Sequence, residues 1–288
     1  MITHKVIIGC GYLGTRVALA YLQQAMPVTG VVRTAASVAA LRAAGITTVL
    51  HDLDQPVSAA IQLQDRALFY FAPPPRHGEE ETRVSALIEG FERVGQPRRV
   101  VYLSTTGVYG DCGGDWVDET RPANPQVDRA RRRWDGEQRF RAWSRDSGGE
   151  LVVLRVAGIY GPGKLPLERL QRGEPTVLES EAPYTNRIHI HDLVQVCLAA
   201  MARGGSGEVY NVSDGVPGNM TDYFNQVADW AGLPRPPQIA LADAGSQLSA
   251  GMLSYLRESR RLDSGKLQRE LGVTLRYPDL VSGLEGCR

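Results

Sequence analysis

The run Val6-Ile7-Ile8-Gly9-Cys10-Gly11-Tyr12-Leu13-Gly14 restricts the fold of this chain more than any other stretch. A short apolar strand leads straight into a GxGxxG turn, and the apolar spacing over residues 13–24 predicts a helix directly behind it. In such a unit the first glycine permits the tight turn and the second lets the backbone approach a pyrophosphate. The third lets the helix pack closely on the strand. The helix N-terminus adds free N–H groups and partial positive charge, which favour an anion. Gly9, Gly11 and Gly14, with Tyr12 and Leu13 between them, are therefore the first candidate cofactor-binding residues.

The same alternation continues downstream. Apolar runs at 5–8, 28–32, 47–50, 67–71, 99–103 and 151–156 read as buried strands. Helical spacing recurs at 13–24, 35–43, 82–94 and 129–145. Strand–helix alternation of this kind predicts an α/β chain with a doubly wound parallel sheet, the Rossmann fold. Continuous rather than alternating apolar strands fit a sheet covered on both faces. After Val156 glycine and proline become frequent, and the rhythm returns at 186–201 and 208–212. Residues 1–157 with 186–213 are thus expected to form the dinucleotide-binding domain. Residues 158–185 with 214–288, which include helical patterns at 221–231 and 265–271, form a smaller substrate lobe closing over the sheet's carboxyl edge.

Composition narrows the function classes. The 32 basic and 32 acidic side chains cancel, which argues against a nucleic-acid partner. No apolar run approaches the roughly 20 residues of a membrane span, and the start of the chain lacks a signal-peptide core. Cys10, Cys112, Cys197 and Cys287 have neither CxxC nor metal-ligand spacing, so reduced thiols, a cytoplasmic location and no metal are expected. The expected partner is a small-molecule substrate, with a homodimer left open.

The second predicted strand ends at Val32, followed by Arg33. Selection of NAD wants a carboxylate about 20 residues past the glycines, for the ribose 2′-OH. The first acidic residue after Gly14 is instead Asp52. A guanidinium at that place suits a 2′-phosphate, so NADP(H) is favoured over NAD(H). Asp52, after the third strand, either meets the adenine amino group or caps the next helix. Ala72 and Ser104, at the ends of the fourth and fifth strands, complete the candidate cofactor set.

Several later stretches resemble the extended short-chain dehydrogenases/reductases, in their NAD-dependent epimerase/dehydratase branch. Tyr102-Leu103-Ser104-Thr105-Thr106-Gly107-Val108-Tyr109-Gly110 resembles that family's fifth-strand signature, and Asp118-Glu119 with Pro122 and Pro125 its following loop. Leu154-Arg155 with Ile159-Tyr160-Gly161-Pro162-Gly163 resembles its sixth strand and exit turn. Asn186–Leu193 and Tyr210-Asn211-Val212 resemble the return to the nucleotide domain. The likeness runs in order over nearly the whole chain. It implies hydride transfer or epimerisation on a hydroxyl-bearing substrate, often a nucleotide-sugar. It also implies a Ser or Thr at position 105 that hydrogen-bonds the substrate carbonyl.

The chain departs from the family at its Tyr-x-x-x-Lys pair. Counting back from Glu137, Arg129 stands in the tyrosine position and Arg133 in the lysine position, and no tyrosine occurs between Gly110 and Ile159. Arginine stays protonated and cannot accept the proton that the family tyrosine handles. Spaced i,i+4, Arg129 and Arg133 share a helix face and form a fork for an anion, or else a solvated basic turn. Arg187 meets a substrate phosphate or pairs with Asp192. Tyr109, Tyr160 and Asp128 are the remaining proton-transfer candidates, Tyr109 standing with Thr105 in the catalytic set. His189 and His191 read as packing and helix-start residues. The first reading is an atypical NADP(H)-dependent oxidoreductase acting on a hydroxyl or carbonyl substrate with an anionic group. The second is a non-catalytic NADP(H)-binding redox sensor.

Overall fold

The computed structural model describes residues 4–288. Seven parallel strands form one sheet: β1 (Lys5–Ile8), β2 (Val28–Val32), β3 (Thr47–Leu50), β4 (Ala67–Tyr70), β5 (Arg99–Thr105), β6 (Glu150–Val156) and β7 (Val209–Val212). Their spatial order is β7-β6-β5-β4-β1-β2-β3. β1 therefore lies between β2 and β4, with Ile8 opposite both Val31 and Tyr70. The chain winds outward from β1 in both directions, and a crevice opens at the carboxyl ends where the strand order reverses.

Helices cover both faces. α1 (Tyr12–Leu22), α5 (Ile190–Arg203) and α7 (Gly265–Leu271) pack on one side, around Val17, Phe69, Leu154, Val196 and Leu267. On the other side α3 (Thr82–Glu89) and α4 (Asp128–Ser147) enclose Leu68, Tyr70, Tyr102, Phe140 and Trp143. Each fully buried aliphatic or aromatic side chain of this kind stabilises the fold by about 1.5–3 kcal/mol relative to exposure. α2 (Ala35–Ala43) starts on Thr34, whose hydroxyl accepts from the Ser37 N–H. α6 (Met220–Ala231) starts on Asn219 in the same manner and ends on Gly232 at φ 65°.

Five differences from the sequence reading have physical causes. β3 is a partly exposed edge strand, not a buried one. The helix expected over 82–94 breaks at Gly90, where a Cβ would lie 2.9 Å from Val57. β5 runs on through Ser104 and Thr105 because both pair with β6, opposite Arg155 and Val156. Trp116–Val117, outside every strand the sequence predicts, pairs with Arg261–Leu262. Finally, α7 was assigned to the substrate lobe, yet Leu267, Leu271 and Val273 are buried in the sheet's own core. Separate apolar clusters form around Phe224, Val227 and Leu170, and around Val177 and Leu248. Among the described residues no helix is long and apolar enough to cross a membrane.

Candidate active site

The crevice between β1 and β4 is a groove of about 690 Å³, lined by Gly9–Leu13, Arg33, Asp52, Ala72 and Lys164 among others. Each motif glycine has its own steric reason. Gly9 sits at φ +84°, and a Cβ there would lie 2.4 Å from the Ala72 amide nitrogen. A Cβ on Gly14 would lie 2.9 Å from the Gly9 carbonyl oxygen and 3.0 Å from Ile7. At Gly11 a Cβ would meet no protein atom within 4 Å, so the glycine keeps clear a space in the groove rather than in the core. Gly11 also stands at the N-cap of α1, whose first turn carries no carboxylate. The cradle therefore fits a dinucleotide pyrophosphate.

Arg33 and Thr34 follow β2 at the far end of the groove, with Ser37, His51 and Asp52 beside them. The expected carboxylate is missing from that strand end, as the sequence indicated. Asp52 caps no helix. Its Oδ1 accepts from the Asp54 N–H at 3.1 Å within a turn, and the residue lines the groove.

At the end of β5 two neighbours differ. Ser104 is buried, and its hydroxyl donates to Glu137 Oε1 at 2.5 Å. Glu137 also accepts two bonds from Arg155, at 3.1 and 2.9 Å, so the Ser104 hydroxyl is committed to a buried ion pair under the strand. Thr105 is only partly buried, and its Oγ1 accepts from the Gly107 N–H at 3.2 Å. Among the described residues the Thr105 hydroxyl proton meets no acceptor. Thr105 lines a second cavity, of about 630 Å³, which shares Leu103 and Ile159 with the groove and so continues it.

Tyr109 needs correcting. It is 1% exposed, lines neither space, and donates its hydroxyl to Asn211 Oδ1 at 2.7 Å. Burial pushes its pKa up to about 12 despite the Arg155 guanidinium over its ring. Tyr109 is a structural residue with no route to a substrate. Tyr160 is likewise buried and bonded to the Asp279 carbonyl, while Asp128 pairs with Arg131 on the surface. His189 and His191 are packing and helix-start residues: His189 caps α5 and stacks with Tyr160 and Tyr277. Burial lowers the His189 pKa to about 4.

Arg129, Arg133 and Arg187 all line the second cavity. Arg129 donates to Ser254 Oγ at 2.5 Å and stacks on the Tyr255 ring at 4.3 Å. Arg133 donates to the Ala72 carbonyl at 3.0 Å, which places it where groove and cavity meet. Arg187 lies 3.8 Å from the centre of the Tyr223 ring. Its supposed partner Asp192 is spent elsewhere, accepting from the Arg276 and Tyr277 amides. None of the three arginines forms an ion pair with a carboxylate of the described residues; their hydrogen bonds go to neutral oxygens. By contrast Arg131 pairs with Glu79 and Asp128 in solvent, and Arg132 is buried against the Gly78 carbonyl.

Sequence reasoning missed the cavity's outer wall. Glu258 is 4% exposed, and its Oε2 accepts from both Nη atoms of Arg260, at 3.0 and 2.9 Å. Its Oε1 has no hydrogen-bond partner among the described residues. Arg260 reaches back to the Gly110 carbonyl at 2.6 Å. Tyr184, Tyr223, Phe224 and Tyr255 complete the wall. No local motif marks these residues, which are brought together by long-range pairing such as that of Trp116–Val117 with Arg261–Leu262.

Comparison with known proteins bears on the family and the fold. The model of the NAD dependent epimerase/dehydratase family matches residues 6–213. Over 97% of its length the chain is 29% identical to a protein named YeeZ from Escherichia coli (strain K12), covering 98% of that protein. A solved structure of a functionally unknown conserved protein from Silicibacter pomeroyi DSS is 33% identical, with a TM-score of 0.85 over 99% of this chain and 98% of that one. A UDP-glucuronic acid 4-epimerase from Bacillus cereus, solved with UDP-glucuronic acid and NAD, shares the fold. Its TM-score is 0.78 at 17% identity, over 99% of this chain and 97% of that one.

Proposed function

The chain belongs to the NAD-dependent epimerase/dehydratase family, and from that footing we propose that it is an NADP(H)-dependent oxidoreductase acting on a hydroxyl or carbonyl substrate that carries an anionic group. The observation that carries this reading is the cavity itself: three guanidinium groups that form no ion pair among the described residues, in a space continuous with the dinucleotide groove. A non-catalytic sensor would have no use for such a cavity, and that second reading is not favoured.

The groove residues fit a nicotinamide dinucleotide: the Gly9–Leu13 turn for the pyrophosphate, Arg33 for a ribose 2′-phosphate, and Asp52 beside the adenine end. The similar Bacillus cereus structure holds NAD; the guanidinium at the end of β2 favours the phosphorylated cofactor here. Bound in this groove, the nicotinamide supplies reversible hydride transfer.

This chain's residues supply the rest. Arg129 and Arg187, each braced by an aromatic ring, bind and orient the anionic end of the substrate. Arg133 fixes the boundary between substrate and cofactor through the Ala72 carbonyl. Thr105 donates a hydrogen bond from its hydroxyl to the reacting oxygen, and the Gly107 N–H holds its Oγ1 in place. The arginines orient but do not accept protons, so the proton released at the substrate oxygen on oxidation, or taken up there on reduction, is exchanged with water.

The test follows nicotinamide absorbance with NADPH or NADP⁺ against a panel of nucleoside-diphosphate sugars, sugar phosphates, hydroxy acids and neutral alcohols. Turnover is expected with anionic members alone. In an Arg129→Ala/Arg133→Ala variant the KM for the active anion should rise roughly ten- to a hundredfold, the scale of one lost charge-assisted contact of about 1.5–3 kcal/mol. Equal turnover of neutral alcohols, or an unchanged KM in the variant, contradicts the proposal.

A further inference from the structure

The turn Gly161-Pro162-Gly163-Lys164 leaves the sheet's carboxyl edge after Gly158–Tyr160 and crosses back over the glycine loop. It is pinned there. The Tyr12 hydroxyl donates to the Pro162 carbonyl at 2.9 Å. Gly161 packs so closely that a Cβ would lie 2.4 Å from Ile190 and 2.9 Å from the Tyr12 hydroxyl. The Lys164 N–H closes the turn on the Gly161 carbonyl at 2.9 Å. Its ammonium is thereby carried to 5.4 Å from the centre of the Tyr12 ring, and the residue lines the groove beside Gly11 and Tyr12.

The other charged residues lining the groove stand elsewhere or are engaged. Arg33 and Asp52 lie at the end of β2 and β3, and Arg83 is bound to Asp54 at 2.7 Å. Lys164 forms no ion pair among the described residues; the ring of Tyr12 is its contact. The α1 N-terminus, the open space at Gly11 and the Lys164 ammonium thus belong to the same groove, joined through Tyr12. Two sources of positive charge in one groove, with the space at Gly11 kept clear of side chain, suit a diphosphate.

We infer that Lys164 is a diphosphate-binding residue of the groove, supplied from the turn opposite α1. This rests on the dinucleotide reading above and extends it: the ligand is gripped from both sides, and its retention depends on a turn outside the glycine motif. Because the contact is to the bridging phosphates, it serves NADP(H), NAD(H) and ADP alike. The 2′-phosphate, by contrast, depends on Arg33.

Isothermal titration of the full chain tests this with four probes: NADPH, NADH, ADP and adenosine 2′-monophosphate. In Lys164→Ala and Lys164→Gln the first three should weaken by a similar factor, about tenfold. Binding of adenosine 2′-monophosphate and the NADPH/NADH ratio should stay unchanged, and Lys164→Arg should restore most of the loss. If Lys164 merely braces Tyr12, the variants lose thermal stability without ligand and keep their ADP affinity, which overturns the inference. Wild-type protein that binds neither ADP nor NADPH removes the dinucleotide reading, and this inference with it.

Discussion

The Tyr109 hydroxyl donates to Asn211 Oδ1 at 2.7 Å, tying the turn after β5 to β7 in the interior. Asn211 is a hub: its Nδ2 donates to the Val117 and Asp263 carbonyls, and its backbone N–H donates to Glu119. Tyr109→Phe leaves the Asn211 oxygen without a donor in the core. The expected cost is about 1–3 kcal/mol of stability, read from chemical denaturation, with dinucleotide affinity and turnover unchanged in the folded protein. Loss of turnover at unchanged stability would restore Tyr109 to the catalytic set.

The two leading glycines should respond oppositely to alanine. Gly11→Ala puts a methyl into open groove, so the protein should fold with near wild-type stability while dinucleotide binding is abolished or greatly weakened. Gly9→Ala must strain a φ of +84° and collide with Ala72, so it should destabilise the fold itself. Thermal melts with and without NADPH separate the cases. Full cofactor affinity in Gly11→Ala would remove the loop from the site.

Glu81 sets a pH dependence. It is fully buried, and burial raises its pKa to about 7 against the pull of Arg133 and Arg83. A carboxyl with a raised folded pKa costs nothing below its unfolded value. The cost begins as pH rises past about 4.5 and is complete above about 7. Glu81→Gln, which keeps the shape without the charge, should therefore be more stable than wild type at pH 8, by up to about 3 kcal/mol. The advantage should fade toward pH 4.5. A difference that does not change with pH would show that Glu81 does not titrate in this range.

The nucleotide half was legible in the sequence because its signals are local. Val6-Ile7-Ile8 followed by the glycines gave strand, turn and helix together, and Arg33 could be placed by counting along the chain. Arg129 and Arg133 were readable as a pair by helical spacing. What escaped depends on contacts distant in sequence. Glu258 joins the cavity through Arg260 and the Gly110 carbonyl, 150 residues away. Lys164 joins the groove through the bond between Tyr12 and Pro162, also 150 residues apart. Tyr109 shows the reverse error. A tyrosine in a family-like motif looked chemical, but only its burial and its bond to Asn211 reveal its role.

Titration of NADPH and NADH into wild type and Arg33→Asp measures directly what the end of β2 recognises. Wild type should bind NADPH more tightly than NADH by roughly ten- to a hundredfold, the worth of a charge-assisted contact of about 1.5–3 kcal/mol. Arg33→Asp should lose that preference and shift toward NADH, by exchanging a phosphate partner for an acceptor of the 2′-OH. A wild type that binds NADH as tightly as NADPH, or a ratio that the substitution leaves unmoved, contradicts the account.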